Sequence, residues 1–311
     1  YMADPSASTF APQSEIDLIE NWWRRGGYNE TGQNALERQR ALLELANVRA
    51  RQLSQPIPLS QLTSLAHIDD LRSDGILQNA REGVFIRFTH DIFFEWAFFH
   101  VLADYGQQWI AVIKACGEPP AVARVVELAS QWEYSQGTNW SAYLSKTEDS
   151  ELRSQWLRAW LLGPLGNARF ENDEDQFATV VFANDFQLFR KTLVWFQAEK
   201  TTPNENILTG DLPKEQRQRF ADLLGWPSDF AVWRRLIDFI LPRISDIPQR
   251  LYPEVVAIFE VWQNALADIR NSTSRALLQQ CAIWLAAIDA INPFGRTGDN
   301  SVYWGKVSEL D

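Results

Sequence analysis

Residues 62–105 constrain the fold of this chain most strongly, because strand-like segments interrupt a helical pattern there. The helical pattern ends at Gly75, and the apolar pair Ile76-Leu77 follows it. A polar turn leads into residues 84–88, VFIRF, which have the composition of a strand, and His90 lies where a long aromatic helix begins. Two strands joined by a turn after three helices predict a winged helix that continues into another helix. The alternative is an accidental helix-hairpin-helix arrangement that does not indicate any protein family.

Two helices and a linker are predicted before the winged helix. Ser14 is the predicted N-cap of a helix over residues 15–25, and a Gly-Gly pair ends it. A longer amphipathic helix is predicted over residues 34–53, and its apolar side is formed by Leu36, Leu43, Val48 and Leu53. Two prolines predict a linker over residues 54–58, because proline does not continue a helix or a central strand.

From residue 107 onward, apolar residues recur at helical spacings, which predicts helices with one buried face each. The apolar stripes are Phe182, Phe186, Phe189, Leu193 and Phe196; Val255, Phe259, Trp262 and Leu266; and Leu277, Cys281, Trp284 and Ile288. Helical units of roughly 12–18 residues with proline breaks predict an α-solenoid-like (HEAT- or armadillo-like) array without β-sheet. A compact irregular α-domain is the alternative. The side chains predicted to be largely buried are Phe186, Phe189, Trp233, Phe259, Trp262 and Trp284.

The predicted fold class is therefore all-α with one short β-hairpin, in which a helical and winged-helix module precedes a helical array. A chain of 311 residues can hold two domains of ordinary size. We predict that residues 1–13 are disordered or derived from cloning. A helical plus winged-helix domain is predicted over residues 14–106, and a helical repeat-like domain over residues 107–311.

Charge and cysteine content argue against several classes of protein. The formal net charge is −11, whereas binding to a phosphate backbone needs a basic surface, so no nucleic acid partner is predicted. Cys116 and Cys281 have no partner at metal-binding spacing, so neither a zinc knuckle nor a disulfide framework is predicted. No apolar run approaches the ~18 residues of a membrane span, and no signal-peptide pattern is present. We therefore predict a cytoplasmic protein with no membrane partner.

Catalytic motifs are absent from the sequence. No G-x-x-x-x-G-K-[ST] motif occurs, so the chain has no P-loop and is predicted not to be an enzyme by itself. Residues 163–166 and 295–298 contain glycines but are predicted to be turns. The acidic run 171–175, ENDED, lacks the spacing and the glycine of an EF-hand and is predicted to be a solvated loop. No catalytic residue and no metal ligand is predicted.

Three histidines remain as candidate functional residues. His67 and His100 lie beside apolar residues in predicted helices, and we interpret both as structural. His90 differs, because it follows a strand and opens a helix whose first N–H groups are unsatisfied and whose dipole is positive. An anion can approach such a place. Thr89 or Asp91 is predicted to cap this helix.

The residues around His90 resemble a known family. Residues 88–97, FTHDIFFEWA, preceded by DGIL at 74–77, are similar to the winged-helix segment of NACHT and related STAND NTPases, which are signalling ATPases. The resemblance covers residues 14–105. The sequence departs from the family pattern at Phe94, where Gln is usual, and at Trp96, where Phe or Tyr is usual. Both are interpreted as packing positions.

The resemblance implies a role for His90 in a nucleotide switch. In the family, the equivalent histidine reaches the β-phosphate of bound ADP and holds the resting state closed. ATP or ADP with Mg²⁺ would then be a cofactor of the full-length protein, held by an ATPase domain absent from this chain, and this chain alone would have no cofactor. The winged helix would contact that ATPase domain, and the helical array would bind a partner protein or trigger, as in bacterial defence signalling.

Two other functions stay open at this point. One is a helical-repeat scaffold with no nucleotide role. The other is a winged-helix transcription regulator, whose recognition helix would cover residues 67–74. That segment carries Asp69, Asp70 and Asp74 against a single Arg72, and its carboxylates would repel DNA phosphates. A P-loop upstream in the encoded full-length protein would discriminate the ATPase interpretation from both alternatives.

Overall fold

Helices make up most of the structure and its strands are short and antiparallel, so the predicted all-α class with a small β-element is confirmed. The structure, a computed structural model, describes residues 10–287 apart from 13, 53–54, 138, 211–212 and 267–271. Ile288, the turn predicted at 295–298 and most of the segment 1–13 lie outside the described residues. The chain divides into two compact units, Tyr1–Phe170 and Glu171–Asp311, and the predicted boundary at 106 and 107 lies inside the first.

The first unit contains a series of helices and one small sheet. Its helices are α1 (Glu15–Arg24), α2 (Gly32–Gln52), α3 (Ile68–Ser73), α4 (Asp91–Tyr105), α5 (Trp109–Ala115), α6 (Ala123–Gln136), α7 (Trp140–Glu148) and α8 (Ser154–Leu162). Its strands are β1 (Ile57–Pro58), β2 (Leu77–Arg81) and β3 (Phe85–Phe88). Residues 163–166 form a short 3-10 turn after α8, as the sequence predicts.

Local sequence explains both ends of α1. Ser14 caps the helix as predicted: its Oγ accepts a hydrogen bond from the backbone N–H of Asp17, and the Asp17 carboxylate accepts one from the N–H of Ser14. After the helix ends, Gly26 adopts a φ of 57°, and a Cβ at that position would lie 2.9 Å from Cα of Ala35. The glycine therefore lets the chain turn closely against the start of α2.

Helix α2 buries a different face from the predicted one. Leu36 is 51% exposed, Leu43 and Val48 are only half-buried, and Leu53 lies outside the described residues, so the predicted apolar side is wrong. The buried residues of α2 are Ala35, Arg38, Leu42, Leu45, Ala46 and Ala50. Leu42 and Leu45, which are as large as the leucines of the predicted side, lie on the buried face. In the structure α2 packs on the phenylalanine-rich α4, and three of the buried residues of α2 are small alanines.

The segment predicted to be a winged helix has one strand more than predicted. As expected, α3 is followed by the antiparallel hairpin β2–β3, in which Leu77 pairs with Phe88. Strand β1, which lies in the predicted linker, pairs with β3 through Ile57 and Ile86, so the sheet order is β1-β3-β2. Pro58 is tolerated because β1 is an edge strand, where a missing N–H breaks no central ladder. The single predicted hairpin is therefore a three-stranded sheet.

Tryptophan side chains pack between the helices that follow the three-stranded sheet. Helix α4 packs against α2 and α6, and α6 packs against α8. The Trp109 ring stacks on Trp160 with 4.9 Å between centroids. The indole N–H of Trp140 donates to Ser130 Oγ at 2.9 Å, and this hydroxyl donates to the carbonyl oxygen of Trp160 at 2.5 Å. These rings bury large apolar surfaces, and the indole N–H groups of Trp140 and Trp160 are hydrogen-bonded, whereas that of Trp109 has no partner among the described residues.

The second unit is also helical, with one very small sheet. Its helices are α9 (Glu174–Val181), α10 (Ala183–Lys200), α11 (Glu205–Leu208), α12 (Lys214–Leu224), α13 (Phe230–Ile240), α14 (Tyr252–Ala265) and α15 (Ser272–Ala287). Strands β4 (Thr201–Thr202) and β5 (Trp226–Pro227) pair antiparallel, so the prediction of no β-sheet after residue 107 is wrong. Strands of two residues are too short to show an alternating pattern. The solenoid-like stacking of helix pairs stays a prediction.

The aromatic stripe over residues 182–196 is not one continuous helix. Asn184, Asp185 and Phe186 have φ values of 50°, 59° and 62°, which interrupt the helical backbone at the start of α10. As a result Phe186 is only half-buried, contrary to prediction. The other five aromatic residues predicted to be buried are buried: Phe189, Trp233, Phe259, Trp262 and Trp284.

Candidate functional site

His90 lies at the junction between β3 and α4, where the sequence predicts it. The backbone N–H of Thr89 donates to the carbonyl oxygen of Ile76 at 2.9 Å and so closes the end of the hairpin. His90 follows in extended conformation, with φ −132° and ψ 144°, as the N-cap residue of α4. Its side chain is exposed. The contact with a phosphate stays a prediction.

The N-terminus of α4 has no side-chain cap, so the predicted cap by Thr89 or Asp91 is wrong. The hydroxyl of Thr89 is buried and has no hydrogen-bond partner among the described residues. The first N–H groups of a helix have no intrahelical partners, and the aligned peptide dipoles place partial positive charge there. The 15-residue α4 therefore presents an open, positively polarised end beside the His90 ring.

Two charged side chains flank this end of α4. The Asp91 carboxylate is 84% exposed and would repel an approaching anion. The Arg49 guanidinium on α2 lies 3.9 Å from Asp91 and sits over the ring of Phe94, 5.6 Å from its centroid. A cleft of about 230 Å³ lies beside these residues and is lined on its far side by Val122. Arg49 offsets the negative charge of Asp91 next to the first turn.

A partly buried network of ion pairs holds α4 in place just after His90 in the sequence. The guanidinium of Arg124, on α6, donates to Glu95 at 2.5 Å and to Glu15 at 2.7 Å. The indole N–H of Trp96 also donates to Glu15, at 3.1 Å. Burial raises the pKa of Glu95, and Arg124 acts in the opposite direction. No hydrogen bond joins Glu95 to His90 among the described residues, and the His90 ring lies 6.0 Å from the ring of Phe93.

The positions that carry the resemblance are mostly packing positions. Phe88, Phe94 and Ala97 are buried, and the Phe94 ring stacks on Phe98 with 5.7 Å between centroids. The departure from the family pattern at Phe94 therefore fills an apolar core. The departure at Trp96 adds the hydrogen bond to Glu15. Neither departure affects the exposed His90.

The other two histidines differ from each other in their surroundings. His100 is buried in α4 and stacks on Trp23 with 4.0 Å between centroids, and burial lowers its pKa to about 3, as suits a structural residue. His67 does not lie in a helix, contrary to prediction. It precedes α3 with a φ of 63°, and its ring contacts Glu37 and Asp70. Helix α3 begins only at Ile68, because the left-handed backbone of His67 interrupts the helical pattern.

The acidic run at 171–175 is mostly exposed to solvent, as predicted, but it is not a loop. Its last residues form the first turn of α9, where Glu174 and Asp175 each accept a hydrogen bond from Arg243 at 2.6 Å. In the part of the chain that the structure describes, no group of three or more metal-binding side chains occurs. Cys116 and Cys281 are buried free thiols, and burial raises the pKa of Cys281 to about 12.

Comparisons with known proteins add no identification. No model of a known protein family matches this chain, and no curated protein matches it. Among the described residues, none of the helices is both long and apolar enough to cross a membrane. The residues around His90 and their contacts therefore carry the functional proposal.

Sequence reasoning missed two important charged contacts. Arg38 is only 2% exposed on α2, and it donates to the carbonyl oxygen of Gly26 at 2.7 Å and to Asp74 at 2.6 Å. Its position three residues after Ala35 and four before Leu42, on the buried stripe of α2, was a usable signal. The contact between Arg124 and Glu15 joins residues 109 positions apart, and no local pattern indicates it.

Proposed function

We propose that this chain is the regulatory and ligand-sensing part of a STAND-type ATPase, in which the winged-helix segment controls a nucleotide switch. The single observation that carries the proposal is the position of His90. Its exposed ring stands at the uncapped, positive end of α4, directly after the wing strand β3. This is the position of the phosphate-contacting histidine in the family that residues 88–97 resemble. In this proposal the ATPase domain of the full-length protein holds ADP or ATP with Mg²⁺, and His90 reaches the diphosphate.

The electrostatics at this end of α4 favour an anion when Asp91 is neutralised. The helix end supplies partial positive charge, and a ring N–H of His90 would donate a hydrogen bond to a charged acceptor. Asp91 opposes both, but the Arg49 guanidinium lies 3.9 Å from its carboxylate. The ion pairs of Arg124 with Glu15 and Glu95 fix the orientation of α4. The His90 ring is therefore positioned by a well-anchored helix.

The energy of one contact limits what His90 does in such a switch. A hydrogen bond to a charged group contributes about 1.5–3 kcal/mol. Moving a two-state equilibrium from 1:99 to 99:1 needs about 5.5 kcal/mol. His90 therefore biases the closed state, and the interface between the winged-helix segment and the ATPase domain supplies the rest.

The helical region after the winged helix is proposed to bind a partner protein, in a cytoplasmic signalling role such as bacterial defence. Two large apolar side chains on α12 support a partner surface, because Leu223 is 74% exposed and Phe220 43%. A helical scaffold without a nucleotide role would use the same surface. An upstream P-loop in the full-length protein separates the two proposals.

The charge of α3 argues against a transcription regulator. Asp69 and Asp70 are 85% and 62% exposed on the helix that would enter the DNA groove. The guanidinium of Arg72, the basic residue of that helix, is bound to Asp69 and Asn79. Exposed carboxylates facing DNA phosphates would repel them.

The test is the rate of ADP dissociation from the full-length protein. His90→Ala should accelerate ADP release by roughly tenfold to a hundredfold, as expected for the loss of one charge-assisted hydrogen bond, and it should raise basal activity. Asp91→Asn is the matched control in the same turn. It removes a charge that repels phosphate, so ADP should dissociate at the same rate or more slowly. Unchanged ADP release in His90→Ala would contradict the proposal, and faster release in both variants would show that the turn itself is damaged.

A further inference from the structure

His67 lies between two carboxylates that come from two different helices. Its Nε2 is 3.1 Å from Glu37 on α2, and its Nδ1 is 3.0 Å from Asp70 on α3. The side chain of His67 is 17% exposed. Both ring nitrogens therefore face a hydrogen-bond acceptor.

This geometry fits only one protonation state of the ring. An ionised carboxylate accepts hydrogen bonds and donates none, whereas a neutral imidazole carries one N–H. With the neutral ring, one of the two contacts brings a nitrogen lone pair against a carboxylate oxygen. Only the imidazolium of His67 donates to Glu37 and Asp70 together.

The other polar and charged side chains near His67 leave Glu37 and Asp70 available to bind its ring. On α2, Gln33 donates to Glu37 at 2.7 Å, and Arg40 lowers the pKa of Glu37 further. On α3, the neighbouring Asp69 is bound to Arg72 and does not contact the ring. The hydrogen bond to Glu37 is the largest cause that raises the pKa of His67, and Asp70 adds to it, while partial burial opposes both.

The opposite end of α3 is attached to α2 by an arginine–aspartate ion pair that contains no histidine. Asp74, directly after α3, accepts from Arg38, which is nearly fully buried and follows Glu37 in the sequence. Arginine stays charged at all ordinary pH values. Helix α3 is thus held at both ends by adjacent residues of α2, and the contact at its N-terminal end is the one made by a histidine.

We propose that His67 is a proton-dependent clasp that holds the N-terminal end of α3 on α2, while the Arg38–Asp74 pair holds the other end. This regulatory device is independent of the proposed role of His90. Because the folded-state pKa of His67 is raised, its stabilising effect is complete below the pKa of an unfolded histidine and is lost as pH rises through the folded value. At high pH the N-terminal end of α3 would open more often.

Hydrogen exchange in the whole chain tests the clasp. Protection factors, corrected for intrinsic exchange, are measured at about pH 5.5 and about pH 9 for the amides of α3, such as Leu71, which donates to the carbonyl oxygen of His67. We expect protection in α3 to fall roughly three- to tenfold at the higher pH, the effect of losing two ion pairs whose carboxylates are partly exposed. Amides in α6, which packs on α4 and α8, serve as the internal reference.

Variants separate the clasp from a general effect of pH. Glu37→Gln and Asp70→Asn should each reduce the difference between the two pH values, and His67→Gln should abolish it. Asp69→Asn is the matched control, since it changes the adjacent carboxylate on the same helix, and it should keep the wild-type difference. Protection in α3 that does not depend on pH, or a pH dependence that persists in Glu37→Gln and Asp70→Asn, overturns the proposal.

Discussion

At the scale of single residues, two histidines of the first unit are expected to depend on pH in opposite directions. His67 gains two carboxylate partners, so its charged form is favoured in the folded chain. His100 is buried against Trp23 and Phe99, and its Nε2 has no hydrogen-bond partner among the described residues, so its neutral form is favoured. The direction of the pKa shift of each histidine thus depends on its surroundings in the fold and not on its neighbours in the sequence.

His100 should make the first unit sensitive to acid. Its folded-state pKa is about 3, below the unfolded value of about 6.5, so its contribution to stability is present above pH 6.5 and is lost as pH falls from there towards 3. At pH 4.5 the loss amounts to about 2–3 kcal/mol. His100→Phe keeps an aromatic ring beside Trp23 and removes the titrating group.

Urea unfolding at pH 7.5 and pH 4.5 measures this effect. The free energy of unfolding of His100→Phe, relative to the wild type, should be higher at pH 4.5 than at pH 7.5 by about 2–3 kcal/mol. Comparing the two proteins at each pH cancels the titration of all other groups. An equal difference between the two proteins at both pH values would show that His100 does not titrate in this range.

Sequence could predict the place of His90 but not the partners of the other charged residues. His90 is defined by local borders, since a strand ends just before it and a helix begins just after it. Glu37 lies 30 residues from His67, Arg38 lies 36 residues from Asp74, and Arg124 lies 109 residues from Glu15. Such pairs depend on how helices pack, which local periodicity does not specify.

At the scale of secondary structure elements, sequence predicted the long helices better than the short strands. A strand of two residues, such as β1 or β5, contains no alternation, and both include a proline that argues against a strand. The left-handed residues 184–186 also leave the apolar spacing unchanged, so the stripe over 182–196 looked continuous. Backbone breaks of this kind depend on tertiary contacts, such as the binding of Asp185 by Arg250.

Two phenylalanines of α10 test whether the break matters for stability. Phe189 is fully buried, whereas Phe186 lies in the left-handed segment and is half-buried. Phe189→Ala should cost about 3–5 kcal/mol, the usual loss for a buried aromatic ring. Phe186→Ala is the matched control and should cost less than half of that, because less apolar surface is buried.

Denaturant unfolding of the intact chain, followed by circular dichroism, measures both variants. Phe189→Ala is expected to destabilise the second unit more, so that this unit unfolds first. The unfolding transition of Phe189→Ala should therefore begin at a lower urea concentration than that of Phe186→Ala. Equal losses of unfolding free energy in the two variants would mean that Phe186 is packed as tightly as Phe189. The interruption of α10 at residues 184–186 would then be wrong.

At the scale of the whole molecule, the net charge distinguishes a transcription regulator from the other proposed functions. The net charge of −11 and the acidic α3 predict that the chain does not bind duplex DNA at physiological salt. Fluorescence anisotropy with a labelled duplex should show no sub-micromolar binding. A sub-micromolar affinity that weakens steeply with salt would contradict this prediction and favour a transcription regulator.

The most direct test of the nucleotide-switch proposal is a structure of the full-length protein with ADP. The distance from a ring nitrogen of His90 to the nearest phosphate oxygen should be about 2.7–3.2 Å, the range of a hydrogen bond. The phosphate should also lie near the first turn of α4, in front of the His90 N-cap. A diphosphate bound far beyond hydrogen-bond distance of His90, or a full-length protein without a nucleotide-binding domain, would contradict the proposal.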